Sequence, residues 1–165
     1  PGTLRVIIEE RVPAALWQPS IDAPVVVIDS AGKVITDRLE TRYSRLPRVV
    51  GEGAQLKVAE ITSLLDDVPD LQKKVRASML VSDRRWDLFL DNGVQVMLPE
   101  TNAQKAVTEL QETDKESGLL DRDITVVDLR LPDRLVVRLS DDARKARDEL
   151  VAARNKALKK REQGA

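Results

Sequence analysis

Apolar residues recur along this chain with two distinct periods, and the switches between them mark out its elements. "LRVIIEERVPAALWQ" opens with Leu4, Val6 and Ile8 against Arg5, Ile7 and Glu9, the two-residue period of a strand, until Pro13 interrupts it. With the short apolar run "AALW" it predicts one bent strand or two consecutive ones. "APVVVIDSAGKVIT" sets Val25 to Ile28 and Val34 to Thr36 around Asp-Ser-Ala-Gly-Lys, a β-hairpin in which Gly32 supplies positive φ. Alternation is strongest from Ala77 to Leu98. There Trp86, Leu88 and Leu90 lead into Asp91-Asn92-Gly93, and Val94, Val96 and Leu98 lead out, with Asn-Gly the favoured two-residue turn.

Between these strands the period lengthens. Leu56, Ala59, Ile61, Leu64 and Leu65 recur at threes and fours and predict a helix, which Pro69 either ends or follows with a second, short one over "DLQKKV". Thr101 is the expected cap of a helix "NAQKAVTELQETDKESG", with Ala103, Val107 and Leu110 as its apolar stripe and Gly118 as its stop. "ITVVDLRLPDRLVVRLS" then predicts a hairpin turning at Leu-Pro-Asp-Arg. Its first strand, Ile124 to Leu131, is expected inside the sheet, and its second, Leu135 to Leu139, at an edge. Leu135, Val137 and Leu139 lie opposite Val136 and Arg138. Ser140 suits the N-cap of a last helix that is acidic at its start and basic towards its end, as a helix dipole favours. The order of elements predicts an α+β class: an antiparallel β-sheet with helices packed on one face, and an exposed C-terminal helix.

Composition narrows the function. A chain of 165 residues, 42% hydrophobic, can bury a core, while a net charge of -1 and 2% aromatics provide neither the basic field nor the stacking surface for nucleic acid. The absence of histidine and cysteine removes the commonest general base, thiol nucleophiles and nearly every zinc, copper or haem site. No membrane span or signal peptide is present, and an opening on Pro-Gly-Thr-Leu is expected of a piece cut from something longer.

Candidate chemistry is sparse. "GEGAQLK" precedes a helix and so suits an anion, but it lacks the Gly-Lys-Ser/Thr of a P-loop and is favoured as plain structure. Asp66, Asp67 and Asp70 cluster at a helix end, where acids cap and solvate the chain. Ser78, Ser82 and Lys33 belong to neither an SxxK nor a GxSxG motif. Arg84 and Arg85 beside Trp86 suit an exposed cation-π patch, or, with Trp86 facing the core, solvent-facing arginines at a strand's entry. No catalytic, cofactor-binding or metal-binding residue emerges, and an enzyme is not expected.

"LRVIIEERVPAALW", "LPRVVGEG", "RRWDLFLDNGVQVMLPE" and "ITVVDLRLPDRLVVRL", in this order and spacing, resemble the periplasmic part of the FtsQ family of bacterial cell-division proteins, from Leu4 to Leu139. The resemblance implies a protein with a short cytoplasmic segment, one inner-membrane helix absent here, a small POTRA domain and a larger β domain. On that plan residues 1–12 are the last strand of a truncated POTRA domain, 13–140 the β domain and 141–165 a helical tail, all lying in the periplasm at the division septum. It further implies a non-catalytic divisome scaffold that recruits FtsB and FtsL and supports septal wall synthesis.

In the family the last strand of the β domain accepts a strand from FtsB, which is β-augmentation. The partner-binding residues this implies are Leu131, Pro132, Asp133 and Arg134 at the turn, Leu135, Val136, Val137, Arg138 and Leu139 in the last strand, and Arg84 on the preceding sheet. Two departures stand out: some relatives have a small, glycine-containing turn where this chain has Leu-Pro-Asp-Arg, and the tail beyond Ser140 exceeds the resemblance. The alternative reading is a periplasmic chaperone or transport adaptor of POTRA-linked type that binds extended peptides without division specificity.

Overall fold

A computed structural model of the chain describes residues 10–162. The strand expected over Leu4 to Glu10 lies outside the described residues but for Glu10. From Pro13 the expected strands form: β1 (Pro13–Gln18), the hairpin β2 (Val26–Asp29) and β3 (Val34–Thr36), and β4 (Arg48–Val50). Two helices follow, α1 (Val58–Asp66) and α2 (Pro69–Lys74), the second with its proline in the first turn, where no amide is needed. β5 (Val75–Val81), β6 (Arg85–Leu90) and β7 (Gln95–Met97) come next. The chain closes with α3 (Ala103–Ser117), β8 (Ile124–Asp128), β9 (Val136–Leu139) and α4 (Asp141–Glu162).

The nine strands of the described residues form one sheet in the order β3-β2-β1-β4-β5-β6-β7-β8-β9. The hairpins are antiparallel as expected, but β1 with β4, β4 with β5 and β7 with β8 pair in parallel, so the sheet is mixed. A helical crossover allows this: α1 and α2 carry the chain from β4 to β5, and α3 carries it from β7 to β8. Both crossovers step the same way along strands of one direction, so a common hand puts their helices on one face.

Cross-strand register sorts the faces. Val49, Ser78, Leu88, Val96, Val127 and Val137 form one row across β4 to β9, and the apolar members from Val49 to Val127 are fully buried. They join Trp86, Leu90 and Leu98 in a core completed by Val58, Ile61, Leu64 and Leu65 of α1 and Val107 and Leu110 of α3. The parallel row Asp87, Met97, Asp128 and Val136 belongs to the opposite face.

Three local expectations shift. Leu56 is 73% exposed, because Ala54–Lys57 is a 3-10 turn and the α-helical stripe starts at Val58. Thr101 does not cap α3: Asn102 holds the N-cap position in the left-handed region at φ 60, a conformation asparagine tolerates, and no side chain caps that end. β8 stops at Asp128 rather than Leu131, because the Asp128 carboxylate accepts the Arg130 amide at 3.0 Å and turns the chain out of the ladder. Gly118 at φ 60 ends α3 as expected, its amide donating to the Asp114 carbonyl.

Candidate functional site: an open edge strand and its rim

Among the described residues β9 has a neighbour on one side only, β8. Asp128 pairs with Val136, Val127 with Val137 and Val126 with Arg138; Thr125 is the extra residue of a bulge before Ile124 meets Leu139. The Ser140 amide donates to the Asp123 carbonyl at 3.2 Å, and the Arg138 carbonyl accepts from Thr125 Oγ1. Ser140 and Arg138 therefore present their backbone groups to β8. Since the amide and carbonyl of one residue share a side and alternate along the strand, those of Val137 and Leu139 point outward, away from the sheet. This is a short row of unpaired donors and acceptors, the feature a free strand requires.

Side chains of β9 follow the same period. Val137 and Leu139 pack against the core and are half-buried, whereas Val136 and Arg138 are exposed. The chain then leaves the sheet at once. Ser140 Oγ accepts the Ala143 amide at 3.1 Å, capping α4 as expected, and Leu150 and Val151 of that helix are exposed, so its described side chains do not cover the β9 edge.

The turn between β8 and β9 is built from ion pairs. Arg130 meets Asp128 through two parallel bonds, Nε to Oδ1 at 2.8 Å and Nη2 to Oδ2 at 2.6 Å, and Arg134 meets Asp133 at 3.2 and 2.7 Å. The Arg130 bond holds the Asp128 carboxyl below the usual aspartate range, and the Arg134 bond does the same for Asp133. Leu131 and Leu135 remain exposed at this turn. Together with Ala106 and Leu110 of α3 they line a groove of about 410 Å³ that also takes in Pro132, Asp133 and Arg134.

Arg84 sits apart from that groove but on the same rim. It follows Ser82 and Asp83, both left-handed (φ 52 and 55) in the tight β5-β6 turn, and its guanidinium lies 3.7 Å from Glu100. Strands β6, β7 and β8 are aligned there through the Asp87, Met97 and Asp128 row, so about three strand spacings of roughly 4.8 Å separate Arg84 from β9. Trp86 faces the core and its Nε1 donates to Glu60 at 3.0 Å, which leaves Arg84 to solvent and ends the cation-π alternative for this pair.

The structure thus gathers Leu131 to Leu139 into one continuous edge and turn, with Arg84 on its flank. Sequence reasoning missed the α3 wall of the groove, Ala106 above all, and the Glu100 partner of Arg84. Ala106 carried a signal in being three residues after Ala103 and four before Leu110, on the stripe's margin. Glu100 carried none. The acids Asp66, Asp67 and Asp70 do not converge on a site: Asp66 takes Gln72, and Asp70 takes Lys73 and Lys115. Among the described residues no group of three or more acids is placed to hold a metal ion, and no helix is long and apolar enough to cross a membrane.

Comparison with known proteins adds ancestry to this geometry. The family model described as "Cell division protein FtsQ/DivIB, C-terminal" matches residues 15–130. The chain is 39% identical over 162 residues to "Cell division protein FtsQ" of Rhizobium radiobacter, covering 98% of this chain and 76% of that protein. It is 39% identical over 162 residues to the protein of the same name from Agrobacterium fabrum, and 42% identical over 149 residues to that of Bradyrhizobium diazoefficiens. These matches take in 98% and 90% of this chain but 50% and 43% of the respective relatives, so it spans about half the length of those two.

Proposed function

This chain belongs to the FtsQ/DivIB family of cell-division proteins, and from that premise we propose that it is the partner-binding part of a non-catalytic division scaffold. Its task is to recruit FtsB and FtsL, with a strand of FtsB laid beside Leu135 to Leu139, and so to support septal wall synthesis. The longer protein is anchored in the inner membrane by an N-terminal helix and holds this part in the periplasm at the septum. Residues 1–12 end its POTRA domain, 13–140 are the β domain and 141–165 an appended tail that begins with α4.

The observation that supports the reading is the outward direction of the Val137 and Leu139 backbone groups on a strand with one neighbour among the described residues. An extended segment that bonds to them adds a tenth strand, and the exposed Leu131 and Leu135 at the groove mouth select its side chains. Arg84 and Arg134 are exposed cations on the rim, suited to acidic residues of the incoming partner.

Calorimetric titration of a periplasmic FtsB peptide tests this. Val137→Pro removes an outward amide while leaving the bonds to β8, and edge strands tolerate proline. It is expected to weaken peptide binding about tenfold or more, the value of one lost backbone bond and its neighbours, with little change in melting temperature. Equal affinity for wild type and Val137→Pro overturns strand addition at this edge. Equal competition by an unrelated unfolded peptide supports the chaperone or adaptor reading instead.

A further inference from the structure

Helix α4 leaves the sheet with little to hold it along most of its length. It runs for 22 residues, about 33 Å, and its start is tied down by Ser140, which accepts the Ala143 amide on Oγ and the Arg144 amide on its carbonyl. Among the described residues none of α4 packs against the core, and from Arg144 to Asn155 every side chain is exposed. Leu150, at 72%, and Val151, at 47%, are among the large apolar side chains that the fold leaves in solvent.

The pattern along this helix is a heptad. Ala143, Ala146, Leu150 and Ala153 recur at threes and fours and form one seam, with the leucine near its middle. Asp142 and Glu149 lie along one flank of that seam, and Arg147 and Arg154 along the other, each pair seven residues apart. Among the described residues none of these four charges has an ion-pair partner; the pair that α4 does make, Arg144 with Asp141, lies at its start.

Charge on the flanks decides what such a seam accepts. In a parallel, in-register pair of helices each flank faces the opposite flank of the other helix, and a residue meets the one five places further on. Asp142 then meets the second copy's Arg147, and Glu149 meets the second copy's Arg154, each contact made twice by the twofold axis. An antiparallel pair would set like flanks together, arginine on arginine. In the next heptad the sequence has Lys156 and Arg161 at the matching places, so the complementary stretch ends at Arg154.

We propose that α4 is a self-association seam, which takes the α4 of a second copy of this chain in parallel register over Asp142 to Arg154. The proposal rests on no feature of the β9 edge. Two heptads bury far less than a standard interface, so the association is weak and reversible.

Sedimentation equilibrium of the whole chain, over a concentration series reaching about 1 mM, tests it. A monomer-dimer equilibrium is expected. Glu149→Arg replaces two attractive contacts by two repulsive ones and is expected to weaken the dimer about tenfold. Adding Arg154→Glu to that variant exchanges the two charges and is expected to restore it. Asp148→Arg, the same change of charge on the side away from the seam, leaves the equilibrium unchanged. Since α4 stands outside the core, all three variants are expected to keep the fold by circular dichroism. A monomer across the whole series overturns the proposal and leaves the seam to a helix of another protein. Equal weakening by Asp148→Arg and Glu149→Arg also overturns it, because net charge alone would give that, as does a dimer that Glu149→Arg does not weaken or that the double variant does not restore.

Discussion

Asp128 does two jobs with one carboxylate: it takes the Arg130 amide, which ends β8, and it clamps the Arg130 guanidinium, which shapes the turn leading to β9. Because its folded pKa lies below the ordinary value, its contribution is present above about pH 4, where the unfolded carboxyl is ionised. It is lost as the pH falls through the folded pKa. Asp128→Asn should therefore lower stability at neutral pH by about 1.5 kcal/mol, and flatten the acid limb of a pH-stability profile measured by denaturant unfolding. Leu88 shows the opposite kind of residue. Fully buried on the interior strand β6, it should cost about 3 kcal/mol when truncated in Leu88→Ala, read from the same unfolding curves.

At the scale of elements, the ends of helices carry the testable content. Gly118 stops α3 in the left-handed region, and a methyl added there would meet nothing within 4 Å. Gly118→Ala should then cost only the conformational penalty, about 1 kcal/mol in unfolding free energy. Lys74 of α2 reaches Asp114 at 2.9 Å and Asp121 at 3.0 Å, tying the two crossover helices together beneath the sheet's helical face. Its pKa is raised, first by the Asp114 bond, so this tie holds below the ordinary lysine range and is released only as the pH climbs through the raised value.

For the molecule as a whole, the core is a one-sided affair between the sheet and α1 to α3, and α4 adds its first turn and little more. A chain ending at Ala146 should keep its melting temperature within about 2 °C of the full chain. A larger fall would mean that α4 braces the sheet. The same one-sidedness leaves the sheet with two terminal strands, β3 and β9. They differ in what continues them: β3 leads into the loop that returns to β4, while β9 is followed by a helix that departs.

The alternation of Trp86, Leu88 and Leu90 and of Val94, Val96 and Leu98 by itself determined the central hairpin, because a buried face on a pleated strand tolerates no other period. In the same way Val107 and Leu110 determined the buried side of α3, and Ser140 the start of α4, by local chemistry alone. Strand order was not local. The parallel joins of β4 with β5 and β7 with β8 came from crossover helices, and that of β1 with β4 from a chain that passes through the β2-β3 hairpin before returning; each couples residues far apart in sequence. The outward direction of Val137 and Leu139 likewise rested on the facing strand, where the Asp123 carbonyl takes the Ser140 amide and so turns Ser140 and Arg138 towards β8. Which backbone groups remain unpaired is a property of neighbours, and the sequence of a strand does not contain its neighbours.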